Sequence, residues 1–292
     1  MWLWIPFTIF AAFMQSWRNA FQKQLSQDVN TTGVTLARFI YAGPLAALYV
    51  LALYAWQPVA MPHLSGLFWV YVVLASVAQI FATSLMVMLF RLRNYAIGVG
   101  LAKSEAVMAA ILGALFFGAP LSALAWMGVF IGGLAIWLMS NPGSFRDISL
   151  STMATVLGSG LCFALTFLWV REASLLLELP FPYSAAWVLV AVITTQTIIL
   201  ISWLLMRDKQ TLVALWKRPK LTLTISLFSC LGSLGWFTAM SLQTAAMVKT
   251  LGQIEVLFTL MISVIWFREK LKPKDKIGLA LIVIGAIFVM LA

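Results

Sequence analysis

The sequence predicts an all-α membrane protein of ten transmembrane helices, arranged as two inverted five-helix repeats. Three observations carry that reading. Hydrophobic residues make up 63% of the 292-residue chain and charged residues only 10%, against about 25% charged in an ordinary soluble domain. Ten apolar stretches of roughly 17–24 residues, each able to cross a hydrocarbon core of about 30 Å, lie almost end to end. The basic residues between them gather on one side of such a bundle, in a pattern that reverses between the two halves of the chain.

The spans run near 3–22, 32–55, 67–89, 95–117 and 121–140 in the first half, and 151–171, 184–206, 220–241, 246–267 and 275–292 in the second. Span one opens MWLWIPFTIF, without a basic stretch or a small-residue cleavage site, and is expected to stay on the chain rather than leave as a signal peptide. Pro6 in span one and Pro44 in span two are tolerated in membrane helices and can kink them. Cys162 and Cys230 fall inside spans six and eight, which excludes a disulfide framework and leaves them as small packing residues. Almost nothing is left between spans, so residues 1–292 read as one transmembrane domain, with repeat one at 1–143 and repeat two at 149–292.

A net charge of +10 raises the question of an anionic partner. Placement answers it. Arg18, Lys23, Arg38, Arg91, Arg93, Arg146, Arg207, Lys209, Lys217, Arg218, Lys220, Arg268, Lys270, Lys272, Lys274 and Lys276 lie at or beside loops 1–2, 3–4, 5–6, 7–8 and 9–10, all on one side. The other side holds Arg171 alone, beside Glu172. The rich side is expected to be cytoplasmic, which puts both termini outside. The charge therefore reports orientation and anionic lipid headgroups, not nucleic acid. The compact loops suit a bacterial inner membrane.

The repeat rests on two signals. Residues 92–128 laid on 242–278 pair Leu92 with Leu242, Ala96 with Ala246, Leu101 with Leu251, Glu105 with Glu255, Phe117 with Phe267, Leu121 with Leu271 and Gly128 with Gly278. Five spans per half is an odd number, so the second half must insert upside down, and the loop charges swap accordingly. Inverted repeats place a substrate site near the midplane, where the halves meet.

The candidate site follows from buried charge. Glu105 and Glu255 each fall near the middle of a span, where an ionised side chain costs roughly 2.5 kcal/mol or more. Lys103 and Lys249 share those windows. On a helix, Lys103 cannot pair with Glu105, nor Lys249 with Glu255, so each charge needs a partner from another helix or a water-filled cavity; Lys103 with Glu255 is one such pair. The glutamates are expected to exchange protons or bind a substrate ammonium, the alternative being a fixed salt bridge between the halves. Lys103, Gln253 and Lys249 are expected to hold an anionic group, although Lys249 lies close enough to the span end to snorkel. Gln79 and Tyr95, with Gln196, Gln243 and Asn94, are candidates to line a polar cavity or to bond between helices. Arg18 beside Trp17, and Arg171 beside Trp169, read as interfacial anchors. Trp69, Trp126, Trp137 and Trp203 are candidates for a pocket wall. His63, the one histidine, reads as surface. There is no Gly-rich phosphate loop, no His pair at metal spacing and no Ser–His–Asp set, so neither a cofactor nor an enzymatic activity is expected.

The stretch EVLFTLMISVIWFREKLKPKDKIGLALIVIG, from Glu255 to Gly285, resembles the end of an EamA-type unit of the drug/metabolite transporter superfamily. The matching elements are the mid-helix glutamate, the short Arg268-Glu269-Lys270-Leu271 loop, Gly278 and Gly285. SEAVMAAILGALFFGAPLSALAWMGVFIGG, from Ser104 to Gly133, is similar to a diverged copy, and Arg38-Phe39 fits the same pattern. Val256 and Ala119 depart from it, standing where a proline and a glutamate are usual. The resemblance implies a cavity lined by spans 1, 3, 4, 6, 8 and 9, with alternating access and export of metabolites or drugs coupled to protons or counter-substrates. It also implies cytoplasmic termini, opposite to the charge count. The expected partners are a small organic substrate (a zwitterion or organic anion), a proton as coupling ion and membrane lipids, in a monomer or homodimer. A lipid-headgroup translocating protein and a non-transporting accessory membrane subunit are the alternatives.

Overall fold

The computed structural model describes residues 2–92, 112, 122–140, 150–268 and 273–291. Among the described residues the fold is all helical, with no strands. The first half contributes α1 (Trp4–Leu25), α2 (Thr31–Ala37), α3 (Ala42–Trp56), α4 (Gly66–Leu92) and α5 (Ala123–Ser140). The second half contributes α6 (Leu150–Leu176), α7 (Tyr183–Arg207), α8 (Lys209–Trp216), α9 (Pro219–Leu242), α10 (Ala245–Leu251), α11 (Glu255–Ile265) and α12 (Pro273–Met290), with a 3₁₀ turn over Gly252–Ile254. Among the described residues, six segments are long and apolar enough to cross a membrane: Thr31–Trp56, Gly66–Phe90, Leu157–Leu176, Tyr183–Arg207, Pro219–Leu242 and Met247–Ile265. This is a multi-pass membrane bundle.

Span two is discontinuous, and span nine carries a 3₁₀ turn. Span two divides into α2 and α3, and Pro44 supplies the reason. Its ring would clash with the carbonyl of Ile40 in a continuous helix, so the chain turns over Arg38–Tyr41 and Pro44 falls in the first turn of α3, where its missing N–H costs nothing. Ser226 of α9 serves the break from both sides, accepting from Tyr41 N at 3.2 Å and donating to Ala37 O at 2.7 Å. Pro6 likewise sits in the first turn of α1 and kinks nothing. Span nine tightens into one 3₁₀ turn over Gly252–Ile254, and Glu255 lies near the middle of the Met247–Ile265 segment.

Packing joins helices from early and late in the chain. The most extensive contacts are α1 with α9, α4 with α6, and α5 with α12; α3 also packs on α7. On the rim, Asn30 caps α2 through Gly33 N and donates Nδ2 to Asp208 at 2.7 Å and to Thr211 at 2.5 Å, tying the start of α2 to the start of α8. The Thr211 hydroxyl, its backbone N–H and Asn30 hold the Asp208 carboxyl below its ordinary range. Arg218 pairs with Asp28 at 3.0 Å alongside.

Candidate functional site

α1 is the least apolar of the long helices, and the reason lies on one face. Gln15, Arg18, Asn19 and Gln22 recur at helical spacing and are all buried. Arg18 is 1% exposed, so the expected interfacial anchor is a buried charge instead. It turns inward because its guanidinium finds an acceptor there: Nη2 and Nε donate to Asn19 Oδ1 at 2.6 and 3.2 Å.

Across from this stripe stands Glu255, with no exposed surface. Asn19 Nδ2 donates to its Oε1 at 2.9 Å and Gln15 Nε2 to its Oε2 at 2.6 Å. Gln15 and Asn19 are one helical turn apart, which lets both amides reach one carboxylate. Gln15 completes the chain by accepting from Trp236 Nε1 of α9 at 2.8 Å. Hydrogen bonds to a charged group contribute about 1.5–3 kcal/mol each, enough to offset much of the cost of burying the carboxylate.

Lys249 does not snorkel. It is 2% exposed and its Nζ lies 3.7 Å from the Trp236 ring centroid and 3.9 Å from that of Phe167. Two aromatic faces supply the negative potential that a desolvated ammonium needs, about 2 kcal/mol or more. Trp236 reaches this position because residue 252 is glycine; a Cβ there would collide with the indole. Lys249 and Glu255 thus face different neighbours, as their spacing requires, but both connect to Trp236.

Gln253, on the 3₁₀ turn, is 2% exposed, and among the described residues neither end of its amide has a hydrogen-bond partner. It lies against Gly132 of α5, where any side chain would strike it. Gln79 is buried in a contact between α4 and α7, accepting from Gln196 Nε2 at 2.6 Å. Lys103, Glu105 and Tyr95 lie outside the described residues. Gln253, Lys249 and Glu255 therefore share one span but face different neighbours, while Gln79 belongs to a separate pair.

Three further expectations change. Arg171 is half-buried and donates Nη1 to the carbonyls of Met240 and Gln243, both at 2.5 Å, closing the end of α9 rather than anchoring at an interface. Arg38, counted with the loop charges, is buried at the α2–α3 break and donates to Thr83 at 2.7 Å and Ser229 at 3.2 Å. Without Arg18 and Arg38 the basic side still outweighs the other heavily. Trp69, Trp126 and Trp203 are 44%, 37% and 51% exposed and face outward, not into a pocket.

Residues 150–291, which include every second-half member of this cluster, match the EamA-like transporter family. That segment of the chain is EamA-like. The EamA-like segment carries Phe167, Trp236, Lys249, Gln253 and Glu255, while Gln15, Arg18 and Asn19 come from the part before it. A solved structure named only "Crystal structure of protein" superposes with a TM-score of 0.70 over 98% of this chain and 96% of that one, at 14% identity, and shares the fold. No curated protein matches the chain. The family is one of membrane transporters, and this EamA-like protein is read accordingly as an integral membrane transporter of small molecules.

Proposed function

We propose that the protein is a secondary active transporter of small organic solutes working by alternating access, with its site where α1, α9 and span nine meet. The observation that carries this reading is a carboxylate and an ammonium, Glu255 and Lys249, both buried on one membrane span with a 3₁₀ turn between them. Transporters of this broad kind use interrupted helices at the midplane to bind substrate and coupling ions. Glu255, with Glu105, would exchange protons or take a substrate ammonium. Lys249 and Gln253, with Lys103, would take an anionic group, which suits a zwitterion or organic anion. Gln253 supports this, since its buried amide has both ends open to a ligand among the described residues.

The ten-span inverted repeat, with halves 1–143 and 149–292, is supported by the packing. Exchanging the halves exchanges span one with span six and span three with span eight. That operation turns the α1–α9 contact into the α6–α4 contact, and carries α5–α12 and α3–α7 onto themselves. Those four include the three most extensive pairings. Export across a bacterial inner membrane, with the basic loops inside, is the accompanying reading.

The test is thermal unfolding of purified protein against amino acids, nucleobases, sugar phosphates, polyamines and cationic drugs. A ligand at a hundred times its Kd contributes about 2.7 kcal/mol. A stabilising solute that loses its effect in Glu255→Gln or Lys249→Met supports the site. Stabilisation that survives both changes places binding elsewhere and overturns it.

A further inference from the structure

α8 joins α7 to α9, two helices long and apolar enough to cross a membrane, so it lies at a membrane surface. Its eight residues are about 12 Å long, far too short to cross a core of about 30 Å. Its rotation is fixed from within. Thr211 and Leu215, one turn apart, are buried, and Asn30 of α2 holds both Asp208 and Thr211. Lys209, Val213 and Trp216 recur at i, i+4 and i+7 on the opposite face, and all three are exposed, Trp216 by 78%.

An outward face of indole, valine and lysine suits neither water nor hydrocarbon alone. Indoles collect at headgroup level, where the ring meets acyl carbons and the N–H meets water, and neighbouring lysines reach outward to phosphate. The adjoining helices mark that level. Met206 in the last turn of α7 is 74% exposed, Arg207 lies over the exposed Trp203 ring at 5.6 Å, and Leu223 near the start of α9 is exposed too. Charge then selects the headgroup. Residues 207–220 carry five bases, Arg207, Lys209, Lys217, Arg218 and Lys220, and one acid, Asp208. Asp208 is held by Asn30 and Thr211, and Asp28 pairs with Arg218 at 3.0 Å. Among the described residues, Lys209, Lys217 and Lys220 have no acidic partner.

We propose that α8 lies in the plane of the membrane surface and seats anionic phospholipid. Trp216 and Val213 sink to the boundary of headgroups and acyl chains, as the apolar face of an interfacial helix does, and Lys209, Lys217 and Lys220 take the negative charge. Basic loops in general orient a chain in the bilayer. Here the charges flank an exposed indole on a helix that cannot roll while Asn30 holds it, so lipid has a fixed place to bind. The seat is independent of whatever solute is transported.

The test uses the full chain in phosphatidylcholine nanodiscs that carry a varied fraction of brominated phospholipid, either phosphatidylglycerol or phosphatidylcholine. The difference in emission between wild type and Trp216→Phe isolates Trp216. Brominated phosphatidylcholine should need a mole fraction at least about fivefold higher than brominated phosphatidylglycerol to quench it equally, the factor that one surface lysine supplies. With Lys209→Gln, Lys217→Gln and Lys220→Gln combined, the two lipids should quench alike. With Lys272→Gln, Lys274→Gln and Lys276→Gln combined, which removes equal charge beside loop 9–10, the preference should remain. The side chains changed at 209, 216, 217 and 220 are all exposed, so these variants keep the fold. Equal quenching by both lipids in wild type overturns the seat, and so does a preference lost alike in both triple variants, which is diffuse attraction. Quenching by aqueous acrylamide but not by lipid overturns it too, leaving Trp216 in water and open to a soluble acidic polypeptide. A preference abolished by inorganic phosphate at constant ionic strength overturns it in favour of a soluble phosphate site.

Discussion

Asn19 on α1 and Glu255 on α11 are separated by 236 positions in sequence and meet at 2.9 Å, with Arg18 on the far end of the same amide. One neutral side chain thus stands between a buried cation and a buried anion, and keeps both hydrogen-bonded. Asn19→Ala removes a donor from the carboxylate and an acceptor from the guanidinium. At about 1.5–3 kcal/mol for each hydrogen bond to a charge, it should lower stability by several kcal/mol. Thermal unfolding in detergent measures this. A loss below about 1 kcal/mol would mean that neither charge depends on Asn19.

The aromatic enclosure of Lys249 has a chemical signature. In the folded protein an amine-reactive reagent should modify the exposed Lys217 and Lys220 readily and leave Lys249 intact until the protein unfolds. Peptide mapping by mass spectrometry gives the answer. Labelling of all three at equal rates would show an ammonium at the membrane surface, as snorkelling requires.

Gly132 and Gln253 should be coupled. Gly132→Ala drives a methyl group into the Gln253 amide, and overpacking of this kind costs about 1–3 kcal/mol. Gln253→Ala clears that space, so the double variant should recover most of the stability lost by Gly132→Ala. A double-mutant cycle in unfolding experiments reads the coupling directly. Strict additivity of the two losses would place the strain elsewhere.

The rim tie between α2 and α8 has a defined pH dependence. Because the Thr211 hydroxyl leads the groups that hold the Asp208 carboxyl low, the ionised form is favoured in the folded state. Its contribution is therefore fully present above the ordinary aspartate value near about pH 4 and disappears as pH falls through the lower folded value. The unfolding midpoint of wild type should exceed that of Asp208→Asn at neutral pH and converge with it in acid. A gap that widens in acid would reverse the sign and rule out this account.

The sequence made the polar members of span nine legible because an ionisable or amide side chain stands out against so apolar a background. Glu255, Lys249 and Gln253 were visible on that ground alone. Arg18 was equally visible but misleading, since its position near a span end beside Trp17 suits an interfacial anchor. The signal that would have corrected it was present: Gln15, Arg18, Asn19 and Gln22 repeat with helical period, and a polar stripe inside a membrane helix turns toward protein. The interruption of span two could be placed from Pro44 and its conflict with the Ile40 carbonyl. The close seat of Trp236 on Gly252 could not, because it brings in a residue of another helix. No local pattern in residues 245–265 encodes that contact. For the same reason the two amides that hold Glu255 were out of reach, since their choice of partner is made in three dimensions.

The gap in span two has a consequence for biosynthesis. The Ala37 carbonyl and the Tyr41 amide are both satisfied by Ser226, and Ser226 is made 189 residues after Ala37. A nascent chain therefore holds the α2–α3 turn open while the helices up to α9 are synthesised, and unsatisfied backbone groups are costly inside a membrane. Until α9 arrives, translocon water or lipid headgroups must stand in for one serine hydroxyl. Quality control that senses exposed polar backbone in the bilayer would find its target at residues 37–41 of any chain truncated before residue 226, and the first half would be degraded rather than accumulate alone.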